Sequence, residues 1–257
     1  MTMLTAGPVN STNSDPPPAP GKRVSLLESA VRKLFTRSGQ VLDIEDVGAA
    51  FRIITIGGDE LRKTEWTPGD KIQMQLGGWV QRTYTPIDWD AEAGRLRILI
   101  YLHATGPGTA WARSLQKAEA CVVFGPRKSL DLARLAAPAV LFGDETSFGL
   151  AAALLGRALL STQLLLEVSS LALARPALTR LGLEDAQLGV RSADDAHLVA
   201  LEDQMLAILR AEPSAKIVLS GKASSIQRMS KVLKRSGIDS SRCQAKAYWA
   251  TGKTGLD

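Results

Sequence analysis

Apolar positions in the first half of the chain fall into short segments of β character at 39–47, 50–56, 71–76, 80–85 and 96–103. Turn clusters separate them: Gly57-Gly58-Asp59, Pro68-Gly69-Asp70 and Gly77-Gly78. Closely spaced strands with this punctuation predict an antiparallel β-barrel. Ahead of them, Leu26, Leu27, Ala30, Val31, Leu34 and Phe35 recur at helical spacing and predict a short amphipathic helix over 25–36, stopped by Gly39. The pattern changes near Leu132. A short apolar strand (Val140, Leu141, Phe142) leads through a loop at 143–147 into a long Ala/Leu helix ending near Ser161. A strand at 164–168 follows, and a later strand at 216–219 passes through Ser220-Gly221 into a helix over 224–236. That order predicts βαβ units and a Rossmann-like parallel sheet. The expected organisation is a flexible tail over 1–22, a barrel domain over 23–134 and an α/β domain over 135–257.

Composition narrows the chemistry. With 45% apolar residues the chain builds real cores, while the polar, proline-rich stretch at 10–20 cannot. The net charge of +5 and a sequence pI near 9.3 favour anionic partners. Basic and acidic residues alternate rather than cluster, which argues against nucleic acid as a partner. Two separated cysteines, Cys121 and Cys243, indicate neither a disulfide framework nor a thiolate cluster, and two histidines exclude a site built from several imidazoles. The longest apolar run, 148–166, is broken by Arg157, Ser161, Thr162 and Gln163, so no stable membrane association is expected. A soluble, cytoplasmic protein whose chemistry depends on a cofactor is the resulting expectation.

Two stretches carry candidate chemistry. In Arg82-Thr83-Tyr84-Thr85-Pro86, alternation puts Arg82 and Tyr84 on one face of a strand, where a cation meets phosphate and a phenol lies along a planar ring. The same pattern fits an ordinary strand with a surface arginine. The loop from His103 to Trp111, with Gly106 and Gly108, runs into a helix expected to reach Gln116. Small residues there let backbone N–H groups approach a pyrophosphate at the helix N-terminus. A plain turn with Thr109 as N-cap is the competing reading.

In order and spacing these motifs resemble the siderophore-interacting proteins, flavin-containing ferric-siderophore reductases of the ferredoxin-reductase-like superfamily. Arg82 to Thr85 resembles the family's Arg-x-Tyr-Thr flavin motif, and His103 to Trp111 its His-plus-glycine-loop segment. Gly125-Pro126-Arg127 resembles the turn ending its barrel. Gly143-Asp144-Glu145-Thr146 resembles the loop opening its nucleotide domain, and Tyr248-Trp249 with Gly252 its C-terminal Tyr-Trp-x-x-Gly. The resemblance implies FAD held by Arg82, Tyr84 and Thr85, with His103, Gly108, Thr109 and Ala110 beside its phosphates. It also implies Gly143, Asp144, Glu145 and Thr146 beside a nicotinamide dinucleotide, and Tyr248 and Trp249 near the isoalloxazine. Asp144 and Glu145 equally fit carboxylates capping the next helix, and Tyr248 and Trp249 equally fit packing of a last strand.

NADPH or NADH would then deliver a hydride, and ferric iron in a siderophore would accept electrons singly, with no catalytic acid–base residue required. Ser169 and Ser170 point to the 2′-phosphate of NADPH, Glu167 to the ribose diol of NADH. Lys222, Arg242, Lys246 and Lys253 are candidates for attracting an anionic ferric siderophore. The chain departs from the family at Gly221-Lys222, where an acidic residue is usual, at Ala250-Thr251, and over a short, unusual segment between Glu167 and Lys216. Alternatives are a flavin reductase for a quinone or protein acceptor and a non-catalytic siderophore or flavin carrier.

Overall fold

The computed structural model describes residues 36–77, 80–103, 106–132, 135, 138–156 and 161–253. The expected tail and N-terminal helix lie outside them, except that Thr36, expected at a helix end, opens a strand. The first seven strands are β1 (Thr36–Val47), β2 (Phe51–Gly57), β3 (Lys71–Gln75), β4 (Gln81–Tyr84), β5 (Pro86–Asp90), β6 (Arg95–Tyr101) and β7 (Ala120–Arg127), with helix α1 (Pro107–Ser114) between the last two. They form one antiparallel sheet in the order β4-β3-β7-β1-β2-β6-β5. Residues two apart share a face of a strand. Accordingly Ile54 and Ile56, Leu96 and Ile98, and Ile72 and Met74 all enter one core with Val41 and Val123.

The expected barrel is present as a rolled sheet that hydrogen bonds do not close, because its two edges are β4 and β5. These edges are consecutive in sequence and joined by Thr85 alone. Two trans peptides span little more than 7 Å, so the sheet must roll until its edges meet at this residue. One residue cannot reverse the chain into a hairpin, and Pro86 has no N–H to give a ladder. The result is a seam at Thr85.

The second sheet comprises β8 (Ala139–Asp144), β9 (Thr162–Val168), β10 (Gln187–Val190), β11 (Lys216–Lys222) and β12 (Cys243–Trp249). All its pairings are parallel, in the order β10-β9-β8-β11-β12. Helices α2 (Phe148–Leu155), α3 (Leu171–Leu181), α4 (His197–Ala211) and α5 (Ala223–Arg235) connect successive strands. Central strand β8 is buried throughout, as a strand covered on both faces must be, which accounts for its unbroken apolar run. Helix α2 ends at Leu155 with Gly156 as C-cap, and residues 157–160 of the longer expected helix lie outside the described set. The sequence reading did not identify β5, β7, α3, β10 or α4.

The two sheets share a core. The second face of β2 presents Phe51 and Ile53 to α2, where Phe51 stacks on Phe148 with ring centroids 5.4 Å apart. Gly149 makes the close approach possible, since a Cβ there would lie 3.2 Å from the Thr85 carbonyl oxygen. Helix α2 therefore rests on the barrel seam. No helix among the described residues is long and apolar enough to cross a membrane.

Candidate functional site

A cavity of about 340 Å³ opens along the seam, a size typical of small-molecule sites. One wall is the end of β4, where Arg82, Thr83, Tyr84 and Thr85 all line the opening. Tyr84 stacks on Trp111 of α1 with centroids 6.3 Å apart, so its ring is braced from behind. Burial drives its phenol well above the ordinary range, despite the nearby Arg82 charge, and it stays neutral. Gly108 lets α1 come close, because a Cβ there would stand 3.2 Å from the Tyr84 hydroxyl.

The second wall is the loop into α1. His103, Gly106, Pro107, Gly108 and Thr109 line the cavity. The helix begins three residues earlier than a Thr109 cap would place it: Gly106 is the N-cap and Pro107 takes the first helical position, where its missing N–H costs nothing. Thr109 instead donates its hydroxyl to the His103 carbonyl at 3.0 Å, which ties the loop to the helix. The His103 ring stacks on Tyr101 with centroids 4.8 Å apart. Ala110 is exposed and is not part of the cavity lining.

The third wall comes from the end of β12, the edge strand of the parallel sheet. Tyr248 and Trp249 line the cavity, as do Lys246 and Lys253. The Tyr248 hydroxyl lies 3.1 Å from Thr85 Oγ1, joining the last strand to the seam, and burial pushes its phenol up to about 12. Trp249 Nε1–H donates to Asp144 Oδ2 at 2.6 Å. The structure thus brings together Arg82, Tyr84, Thr85, His103, Gly108, Thr109, Thr146, Tyr248 and Trp249 around one cleft.

Gly143, Asp144 and Glu145 sit behind this wall. Asp144 accepts from the Thr146 N–H at 2.8 Å and so caps the short turn at Glu145–Ser147 that leads into α2, rather than α2 itself, whose N-cap is Ser147. Glu145 is 2% exposed, accepts the Ser169 N–H at 2.6 Å and pairs with Arg191. Burial raises its carboxyl, but Arg191 and the Ser169 N–H more than offset that and hold it below the usual range. Glu167 is fully buried, 3.0 Å from His197 Nε2 and 3.8 Å from Arg191 Nε.

The sequence reading missed Lys71, Tyr101 and Ser129, which line the cleft, and Arg191, just past β10. Arg191 carries the charge of this cluster and lies over the Trp249 ring at 5.9 Å. Ser169 and Ser170 are also engaged: Ser169 Oγ is 2.9 Å from the Tyr101 hydroxyl, and Ser170 caps α3. Lys222 lies 3.6 Å from Asp195, and Arg242 donates to the Ala215 carbonyl; neither lines the cleft. No grouping of metal-ligating side chains occurs among the described residues.

Residues 73–130 match the model of the siderophore-interacting FAD-binding domain. No curated protein matches the sequence. Among solved structures, a siderophore utilization protein from T. fusca is 20% identical and superposes with a TM-score of 0.64 over 86% of this chain and 95% of its own. The siderophore-interacting protein SipS from Aeromonas hydrophila is 21% identical, with a TM-score of 0.68 over 85% of this chain and 93% of its own. Phthalate dioxygenase reductase is 14% identical, with a TM-score of 0.68 over 86% of this chain and 70% of its own. The chain shares the fold of these structures, an antiparallel sheet followed by a parallel sheet flanked by helices. The matched segment contains the whole Arg82–Thr85 motif, β7 and the loop into α1, in keeping with the resemblance read from the sequence.

Proposed function

We propose that the chain is an FAD-dependent oxidoreductase that takes electrons from NADPH or NADH and reduces a ferric siderophore, releasing ferrous iron. The observation that carries this reading is the convergence of Arg82, Tyr84 and Thr85 on an open seam faced by Tyr248 and Trp249. The residues suit the cofactor: a braced phenol for a planar ring, a cation for phosphate, and a glycine-containing helix start for pyrophosphate. The matched FAD-binding model and the shared fold support a flavin-dependent oxidoreductase. When bound, the flavin supplies the exchange between two-electron and one-electron chemistry. The protein's part is to orient and to exclude water. Tyr84 and Trp111 form a fixed platform, Arg82 places positive charge at one end, and Tyr248 holds the last strand against Thr85. Lys246 and Lys253 are the basic candidates that border the cleft, and they would draw in an anionic ferric chelate.

The barrel domain, about 23–134, would hold FAD and the α/β domain, about 135–257, the dinucleotide, in the crevice where strand order reverses between β8 and β11. One observation favours a carrier without reductase activity: the carboxylates of Asp144, Glu145 and Glu167 outnumber Arg191 at that end of the sheet. Anaerobic mixing decides between them. The purified protein should show a flavin spectrum that NADPH or NADH bleaches and a ferric siderophore restores. A flavin that neither dinucleotide bleaches defeats the reductase reading, and a protein that takes up no flavin defeats both the reductase and a flavin carrier.

A further inference from the structure

We propose that Asp144 is a positioning residue for the flavin cleft, its buried carboxylate holding the Trp249 indole as one wall of the opening. The two oxygens are divided between the cleft and the fold. Oδ1 accepts from the Thr146 N–H and the Thr146 hydroxyl, and Oδ2 accepts from Trp249 Nε1–H. Thr146 also lines the cleft, so one carboxylate sets two of its boundary residues. Gly221, at the end of β11, is shaped around this group. Its φ is +96°, and a Cβ there would lie 2.5–2.8 Å from the carboxyl atoms of Asp144. The glycine of the Gly221-Lys222 pair thus serves the carboxylate, whichever charge follows it.

The arrangement depends on charge. An ionised carboxylate accepts all three bonds with charge assistance, whereas a protonated one, its O–H donating to the Thr146 hydroxyl oxygen, keeps only weaker neutral bonds to Trp249 and the Thr146 N–H. The facing charged and titratable groups are Arg191 at 3.9 Å, Glu145 and Glu167 beyond it, and the Tyr248 phenol. Lys222 lies next to Gly221 but is paired with Asp195. Burial dominates and pushes the carboxyl up to about 6, while Thr146, Trp249 and Arg191 pull it down. Trp249 is therefore held at neutral pH and loosened as the pH falls through about 6.

The importance of this latch for flavin access rests on the flavin reading above, but the latch is measured on the tryptophan itself. In uniformly ¹⁵N-labelled full-length protein, Trp249→Phe assigns the indole resonance, which is then followed from about pH 8 to about pH 5. The Trp249 resonance should titrate with a midpoint near 6 and lose about tenfold of its exchange protection on the acid side, with correction for intrinsic exchange. Asp144→Asn should abolish the titration while leaving the Trp66, Trp89 and Trp111 resonances in place. A Trp249 resonance that is flat across this range in the native chain overturns the proposal even if the Asn variant fails to fold; so does a titration that survives Asp144→Asn. Flavin uptake, read from visible absorbance of the same samples, fails separately if the flavin reading is wrong.

Discussion

Arg191→Met removes a guanidinium from among three buried carboxylates while keeping most of the side chain's volume. Arg191 pairs with Glu145 and stands within 4 Å of both Asp144 and Glu167, and the latter two carboxylates are fully buried. Breaking a buried pair by removing one partner costs about 3–5 kcal/mol, because the surviving charge is left without compensation. Arg191 retains 19% side-chain exposure, so the lower figure of about 3 kcal/mol applies. With an m-value of roughly 3 kcal/mol/M for a chain of this size, the urea midpoint at about pH 8 should fall by about 1 M.

The pH dependence has a definite sign. In the native chain the Glu145 carboxyl is held low, so its contribution is present above its unfolded value of 4.5 and is lost as pH falls through the folded value. In Arg191→Met, burial acts on Glu145 without the arginine, and its folded pKa rises above the unfolded one. The variant then gains stability as pH falls through that raised value, and the gap to the native chain narrows toward about pH 5. Urea unfolding followed by circular dichroism at both pH values measures this. A loss below about 1 kcal/mol at about pH 8, or an equal loss at both pH values, would refute the account of Arg191 as the neutralising charge.

Phe51→Ala removes a fully buried ring from the stack with Phe148 and should cost about 3–5 kcal/mol in urea unfolding, with the loss shared by both sheets. Gly221→Ala places a methyl group against the Asp144 carboxyl at positive φ; at least about 1–2 kcal/mol of stability should be lost, and the tryptophan emission spectrum should change as Trp249 shifts. Arg82→Ala should weaken FAD binding about tenfold or more in a flavin-fluorescence titration while leaving thermal stability without flavin nearly unchanged, since among the described residues its guanidinium hydrogen-bonds only the adjacent Gln81 carbonyl.

The parts of the fold readable from sequence were those with a local signature. The alternating strands β2, β3 and β6, the continuous apolar run of β8 and the strand–glycine–helix passage at Gly221 each show their period within a few residues. β5 escaped notice because it opens on Pro86 and carries Asp88 and Asp90, which read as a turn. α4 was legible but unread: Leu198, Leu201, Met205, Ile208 and Leu209 form a helical stripe, and all are buried. The cleft residues of β4, the α1 loop and β12 came through as motifs. Arg191 could not, because its partner Glu145 is 46 positions away and the pairing exists only once parallel strands align their ends. The same holds for the Asp144–Trp249 contact, 105 positions apart.

The wall supplied by β12 also bears on when the protein becomes competent during synthesis. A ribosome releases the rolled sheet and most of the parallel sheet before Tyr248 and Trp249 emerge, so the nascent chain has a seam with one side missing. A translation product cut short before β12 would bury most of the described apolar residues yet present an unfinished doorway.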